Sequence, residues 1–378
     1  MVRARGSALP NSTRAPLVLA GVVAAELPDI DLAWSGLGRG GEGALRYMLH
    51  HRGHTHTLVV ALAGALLVWG LWLALRRDLR NATASRPRLG IALLGTLSHV
   101  LLDWTNSYGV HPFWPWENRW FYGDAIFIVE PWLWVVAIPA VMLGDRSRTG
   151  RVVLALLLAA ILVATWWTDY TAWTVALALT AGMAVLFAVS RRVADLSRVL
   201  VAIAAWVAVE ATFFITRRAA EREVRAAAPM AADVVLSPGV ADPFCWSAIA
   251  LWEDATTYQV RGGEVRPMPS LRDAGGCRVR SASGLREVSL AGTATVRWTG
   301  QWTAPAGALT ALAQRDCRLA AALRFMRVPA WERTATGVTL WDLRYGQGGF
   351  ASVTSTGSAP CPRDVPPWDP PTARWLPS

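Results

Sequence analysis

Not one lysine occurs in this chain of 378 residues, and all 37 basic side chains are arginines. The pattern reads as the codon usage of a GC-rich gene, and no function follows from it. Charge of either sign is scarce: 17% of residues are charged against 53% hydrophobic, with a mean hydropathy of +0.30. That balance excludes a soluble globular protein of ordinary makeup and points to a membrane protein. Histidine is missing everywhere after His111. No C-x-x-C pair occurs among Cys245, Cys277, Cys317 and Cys361, which speaks against zinc-ribbon and thioredoxin-like arrangements. No internal repeat is visible. No Ala-x-Ala-like cleavage site precedes Pro28, so the apolar stretch Ala15–Leu27 is read as retained, although it is short for a full span.

The net charge of +10 and pI of about 10.4 would suggest nucleic acid if the arginines formed a stripe on a soluble domain. They fall instead in short loops between apolar runs, so no nucleic-acid partner is expected. Runs of membrane character extend over Thr57–Leu75, Leu89–Trp104, Ile126–Leu143, Val152–Thr168, Trp173–Ser190 and Val199–Ile215. Beyond Ile215 the character changes. Thr216–Arg225 is charged and reads as helix, and after Ala231 the chain alternates in the manner of strands, as in Glu287–Trp298 and Gly337–Tyr345. The expected architecture is a mainly α-helical polytopic membrane domain, residues 1–215, followed by a smaller soluble α+β domain, residues 216–378.

Arginines cluster after the first, third and fifth of these runs (Arg76, Arg77, Arg80, Arg86 and Arg88; Arg146, Arg148 and Arg151; Arg191, Arg192 and Arg198). The positive-inside rule makes those loops cytoplasmic. The segments before Thr57, from Thr105 to Ala125, and after Ile215 then face outward. Arg217, Arg218, Arg222 and Arg225 run against this orientation, partly offset by Glu221 and Glu223. All four cysteines lie in the outward region, which permits two disulfides in any of three pairings.

The six histidines call for a chemical explanation. Four occupy the run HHRGHTH, His50–His56, just before the first complete membrane run. His99 and Asp103 are spaced i, i+4 and so share one helical face. Asp29 and Asp31 form a D-x-D after Pro28, and Asp124 follows the second run. Taken singly, a His-x-x-x-Asp is an ordinary helix pair and a D-x-D an ordinary cap. Topology derived from arginines alone nevertheless puts all of these groups at one membrane face, where burial of ionisable groups is costly. Imidazole and carboxylate without thiolate is the ligand set of zinc, manganese or iron sites that keep an open coordination position. Arg52, within the histidine run, reads either as a clamp for a phosphate or other oxyanion or as a snorkelling interfacial side chain. The aromatic residues between Trp104 and Trp134 read as an interfacial belt, and Glu210 is an isolated carboxylate in the last run.

Four motifs in order, ELPDID (Glu26–Asp31), HRGHTHT (His51–Thr57), SHVLLDWTNSYG (Ser98–Gly109) and RWFYGDAIFIVEPWLW (Arg119–Trp134), resemble the YdjM-like family of bacterial membrane-bound metal-dependent hydrolases. The resemblance is strong over about residues 15–135 and continues more faintly in ALRFMRVP and VTLWDLRYG. It implies a divalent-metal site, zinc or manganese, formed by Asp29, Asp31, His51, His56, His99, Asp103 and Asp124; Asp29, Asp31, His51, Arg52, His56, His99 and Asp103 are the expected catalytic residues. His50, His54 and His111 match no family position. The chain departs from the family in lacking an N-L-T-H-like stretch near its start and in carrying Glu130 where an aspartate is usual. The implied activity is hydrolysis of a phosphoester or related bond in a membrane lipid or lipid-linked substrate, at the outer face of the bacterial inner membrane. The alternative is a transporter or metal-handling protein without hydrolytic activity, although transporters often show duplicated halves.

Overall fold

The structure, a computed structural model, describes residues 11–36, 41–75, 82–145, 147–272, 277–279, 284–288, 290–357 and 360–372. Of the loop arginines used for topology, Arg76, Arg77, Arg80 and Arg146 lie outside the described residues.

The N-terminal half is helical. Helix α1 (Asn11–Glu26) leads into a 3-10 turn, Pro28–Asp31, and then α2 (Leu32–Ser35) and α3 (Gly41–His50). A second 3-10 turn, His54–His56, precedes α4 (Leu58–Leu75) and α5 (Ala82–Thr105). Small side chains let α1, α4 and α5 pack closely: Ala24, Ala65 and Ala92 are buried together with Val68. At Gly95 α5 comes close to α1, because a Cβ there would stand 2.9 Å from that of Ala24 and 3.0 Å from the backbone of Ala25. One turn further along α5 comes His99, so this close approach carries its side chain to the end of α1, where Asp29 and Asp31 emerge.

A second helical group follows: α6 (Pro131–Gly144), α7 (Arg148–Trp167), α8 (Trp173–Arg192) and α9 (Asp195–Ala227). Among the described residues four helices, α4, α7, α8 and α9, are long and apolar enough to cross a membrane. Their apolar side chains point outward in quantity, as with Leu156, Leu200 and Trp167, the last 87% exposed. Such surface is stable only against lipid or protein. Helix α6 is shorter, and Glu130 caps it by accepting the Trp132 N–H at 3.1 Å.

No break occurs at residue 215. Helix α9 runs on to Ala227, where it buries Phe213, Ala220 and Val224 against Val234, Leu236, Trp246 and Val265. The arginines that ran against the topology are partly neutralised there, since Arg217 and Arg225 both pair with Glu221 at i, i+4 spacing.

The C-terminal region is rich in sheet. Strands β1 (Asp233–Gly239), β2 (Asp242–Glu253), β3 (Thr257–Val265), β4 (Arg286–Glu287) and β5 (Val296–Pro305) form an antiparallel sheet in the order β1-β2-β3-β5-β4. Two short helices, α10 (Ala308–Arg315) and α11 (Cys317–Ala322), lead to a three-stranded antiparallel sheet of β6 (Pro329–Thr334), β7 (Gly337–Asp342) and β8 (Ser352–Ser355). The strand expected over Glu287–Trp298 is divided, because a turn closed by Thr293 N–H on the Val296 carbonyl starts β5 only at Val296. Disulfides join Cys245 to Cys277 and Cys317 to Cys361.

One apolar core spans both regions. Leu45, Met48 and Leu49 of α3 pack with Tyr108 and Trp120 against Phe325, Met326, Leu340 and Trp368. Tyr108, Trp120 and Tyr122, expected in an interfacial belt, therefore serve to dock the sheet region. Exposed aromatics remain at Phe113 and Trp116.

Candidate metal centre

Two turns and one helix build the site. The 3-10 turn after α1 presents Asp29 and Asp31, the turn before α4 presents His56, and the last turns of α5 present His99 and Asp103. Ligands from sequence positions up to 74 apart thus converge on one point.

The separations are those of donors that share an ion. His56 Nε2 lies 3.2 Å from His99 Nε2, 3.3 Å from Asp29 Oδ1 and 2.9 Å from Asp103 Oδ2. His99 Nε2 in turn lies 3.4 Å from Asp29 Oδ1 and 3.3 Å from Asp103 Oδ2. Ligands about 2.0 Å from a tetrahedral ion stand about 3.3 Å apart. Octahedral ligands at about 2.1 Å stand about 3.0 Å apart. Hydrogen bonding explains the cluster less well, because the single N–H that His56 can carry at Nε2 cannot serve three neighbours at once. Asp29, His56, His99 and Asp103 accordingly form a group that fits a metal ion, and Asp29, Asp31 and His51 form a second, adjoining one; in each, the ligand atoms all lie within 4.8 Å of one another.

Asp31 is fully buried and supports both histidines of the loop. Its Oδ1 accepts from His51 Nδ1 at 3.0 Å; its Oδ2 accepts from the Arg52 N–H at 3.0 Å and the Thr55 hydroxyl at 2.7 Å. The Thr55 oxygen also lies 3.0 Å from His56 Nδ1. Because its one proton is given to Asp31, that oxygen can only accept, which places a hydrogen on Nδ1 and leaves the Nε2 lone pair for a metal.

Electrostatics agree with this geometry. Burial alone would depress the His56 imidazole, but hydrogen bonds to Asp103, Asp29 and Asp31 push its pKa up to about 10. Burial would raise Asp29 and Asp31, yet His56 with His99, and His51 with His56, hold them well below the usual carboxylate range. Without a metal the site therefore keeps a proton among carboxylates, and a divalent cation would displace it.

Residues 1–172 match the YdjM inner membrane protein family. The matched residues contain every residue of the cluster, and the match and the four apolar helices among the described residues support a membrane protein. No curated protein and no solved structure matches the chain.

Two of the expected site residues stand outside the cluster of possible ligands. Asp124 is not in the cluster. It is buried at a positive φ of 50° and its Oδ2 takes the Arg327 guanidinium at 2.7 Å, while Arg327 also binds Asp233. Asp124 docks the sheet region, and ALRFMRVP supplies its partner. Arg52, read as an oxyanion clamp or a snorkelling side chain, is buried among partners of its own. Its guanidinium pairs with Asp103 Oδ1 at 2.8 Å, donates to Asn106 Oδ1 at 2.8 Å and lies over the Tyr108 ring. Thr55 and Asn106, inside HRGHTHT and SHVLLDWTNSYG, also belong to this surround, although their residue types alone do not single them out. Glu130 is buried far from this set as a helix cap, and the Glu210 carboxylate makes no hydrogen bond among the described residues.

Proposed function

We propose that the chain is a membrane-bound metal-dependent hydrolase whose centre is formed by Asp29, His56, His99 and Asp103. The observation that carries this reading is the set of donor separations between 2.9 and 3.4 Å, contributed by three separate elements. A divalent ion held there, zinc or manganese, supplies Lewis acidity. Arg52 balances the second oxygen of Asp103, and Asp31 with Thr55 orients the imidazoles. His51 donates its Nδ1 hydrogen to Asp31 and so presents Nε2 as a proton acceptor, the arrangement of a general base held by a carboxylate.

The open side of the cluster supports a substrate class. Asp29 is its most exposed member, with 32% of its side chain accessible, and the adjoining Ile30 is 52% exposed. A site at the end of apolar helices with an apolar rim suits a phosphoester of a lipid or lipid-linked molecule at the outer membrane face.

Metal analysis of the detergent-purified protein, beside Asp103→Ala, tests the centre. Phosphate or headgroup release from phospholipid vesicles tests the reaction. Bound metal in the wild type alone, with metal-dependent release, is the expected result. A ratio of two ions per chain would reassign His51 to a second ion, and absence of metal from the wild type would overturn the reading.

A further inference from the structure

The segment from Pro360 to Thr372 belongs to no strand or helix, yet a disulfide and several hydrogen bonds anchor it. Cys361 is tied to Cys317 at the start of α11. Seven residues on, Trp368 is completely buried, and its Nε1 donates to the Leu49 carbonyl at 2.7 Å. Its own carbonyl accepts from Arg324 at 2.8 Å, and the Asp369 N–H donates to the Asn118 carbonyl at 3.1 Å.

What lies under this strap is the histidine loop. The Trp368 ring stacks on His111 at 3.8 Å and leans on His54 at 4.6 Å between centroids. It covers Gly53 so closely that a Cβ there would meet it at 2.9 Å. The third unassigned histidine, His50, donates from Nε2 to the Asp364 carbonyl at 3.0 Å. The three histidines with no place in the metal cluster thus all grip the C-terminal segment, which lies outside the matched residues 1–172. The loop that carries His50 and His54 needs holding. Arg52 adopts a left-handed φ of 59°, a conformation that a non-glycine residue keeps only where its surroundings over-determine it. Immediately beside it stand His51 and, four residues on, His56.

We propose that Trp368 is a positioning residue for the His51–His56 loop, through which the C-terminal region sets the metal affinity of the N-terminal site. The proposal rests on the metal reading above for its consequence, though not for the contact itself. Removing the ring should free Gly53 and His54, relax Arg52 and move His51 and His56 off their common point. Losses of groups that support metal ligands cost about 10- to 100-fold in affinity.

The test uses the full chain in detergent, titrated with Zn²⁺, with hydrogen exchange followed over residues 50–57. Trp368→Ala should bind Zn²⁺ about 10- to 100-fold more weakly, with faster exchange in that loop and unchanged protection in β1–β3. Trp368→Phe, which keeps an aromatic ring on His111, should recover most of the affinity. Trp302→Ala, which loosens the same region away from the loop, should leave Zn²⁺ binding as it was. Should Trp368→Ala fail to fold, Cys361→Ser cuts the tether with the ring in place and should shift both readouts in the same direction. Wild-type affinity and wild-type loop exchange in whichever variant folds would overturn the proposal. A wild type that binds no Zn²⁺ would defeat the metal reading instead, and loop exchange would still decide whether Trp368 holds the loop.

Discussion

The Thr55 hydroxyl stands 3.0 Å from His56 Nδ1 while donating its proton to Asp31 Oδ2 at 2.7 Å. One small side chain thereby fixes which imidazole nitrogen is free. Thr55→Val keeps the shape and removes the acceptor, so metal affinity should fall about 10- to 100-fold, whereas Thr55→Ser should retain it. Zn²⁺ titration of the two purified variants decides the matter, and equal affinity for both would remove Thr55 from the site's support.

Asp124 and Arg327 make a buried pair across the two regions at 2.7 Å. Asp124→Ala leaves the guanidinium without one of its two carboxylates, a loss of about 3–5 kcal/mol for a buried pair broken on one side. Metal content should be unchanged, because Asp124 is outside the cluster. Denaturant titration with metal analysis of the same sample separates these outcomes; metal loss at full stability would return Asp124 to the ligand set.

His111 sits between Trp120 and Trp368, and burial drives its pKa down to about 3. The folded value lies below that of the unfolded chain, about 6.5. Below that pH the unfolded chain takes up a proton that the folded protein refuses. Stability from this group is therefore complete above pH of about 6.5 and declines as pH falls toward 3. His54, on the same tryptophan, is also lowered by burial and acts in the same sense. His111→Phe should flatten this decline without abolishing it, as read from denaturation midpoints across the acid range. An unchanged slope would show that His111 ionises freely in the folded state.

Both disulfides lie in the C-terminal region, and such bonds persist in oxidising compartments. Alkylation of unreduced protein from native membranes should label none of the four cysteines. A reporter fused after Ser378 should be active only if its activity requires export. Full cytoplasmic reporter signal would reverse the orientation.

Much of the site was legible in the residues themselves. Imidazole and carboxylate carry their coordination chemistry wherever they stand, and an i, i+4 spacing on a helix puts His99 and Asp103 on one face without further information. Long apolar runs likewise declare helices such as α4 and α7, since hydropathy and length are local properties. The C-terminal sheets were visible only as a class, because alternation marks a strand but does not say which strand pairs with which.

Tertiary structure decided the rest. Asp124 and Asp103 are the same residue type in neighbouring motifs, and the fold gives Asp124 a partner 203 residues away, Arg327, while it places Asp103 beside His56 and His99. Cysteine spacing left three pairings open, and the meeting of β2 with Cys277 and of α11 with Cys361 selected one. The histidines that sequence left without a role meet Trp368 or Asp364, more than 250 residues distant from each. A long-range contact of this kind depends on the whole path of the chain, whereas the chemistry of a ligand and the hydropathy of a helix reside in the residues that carry them.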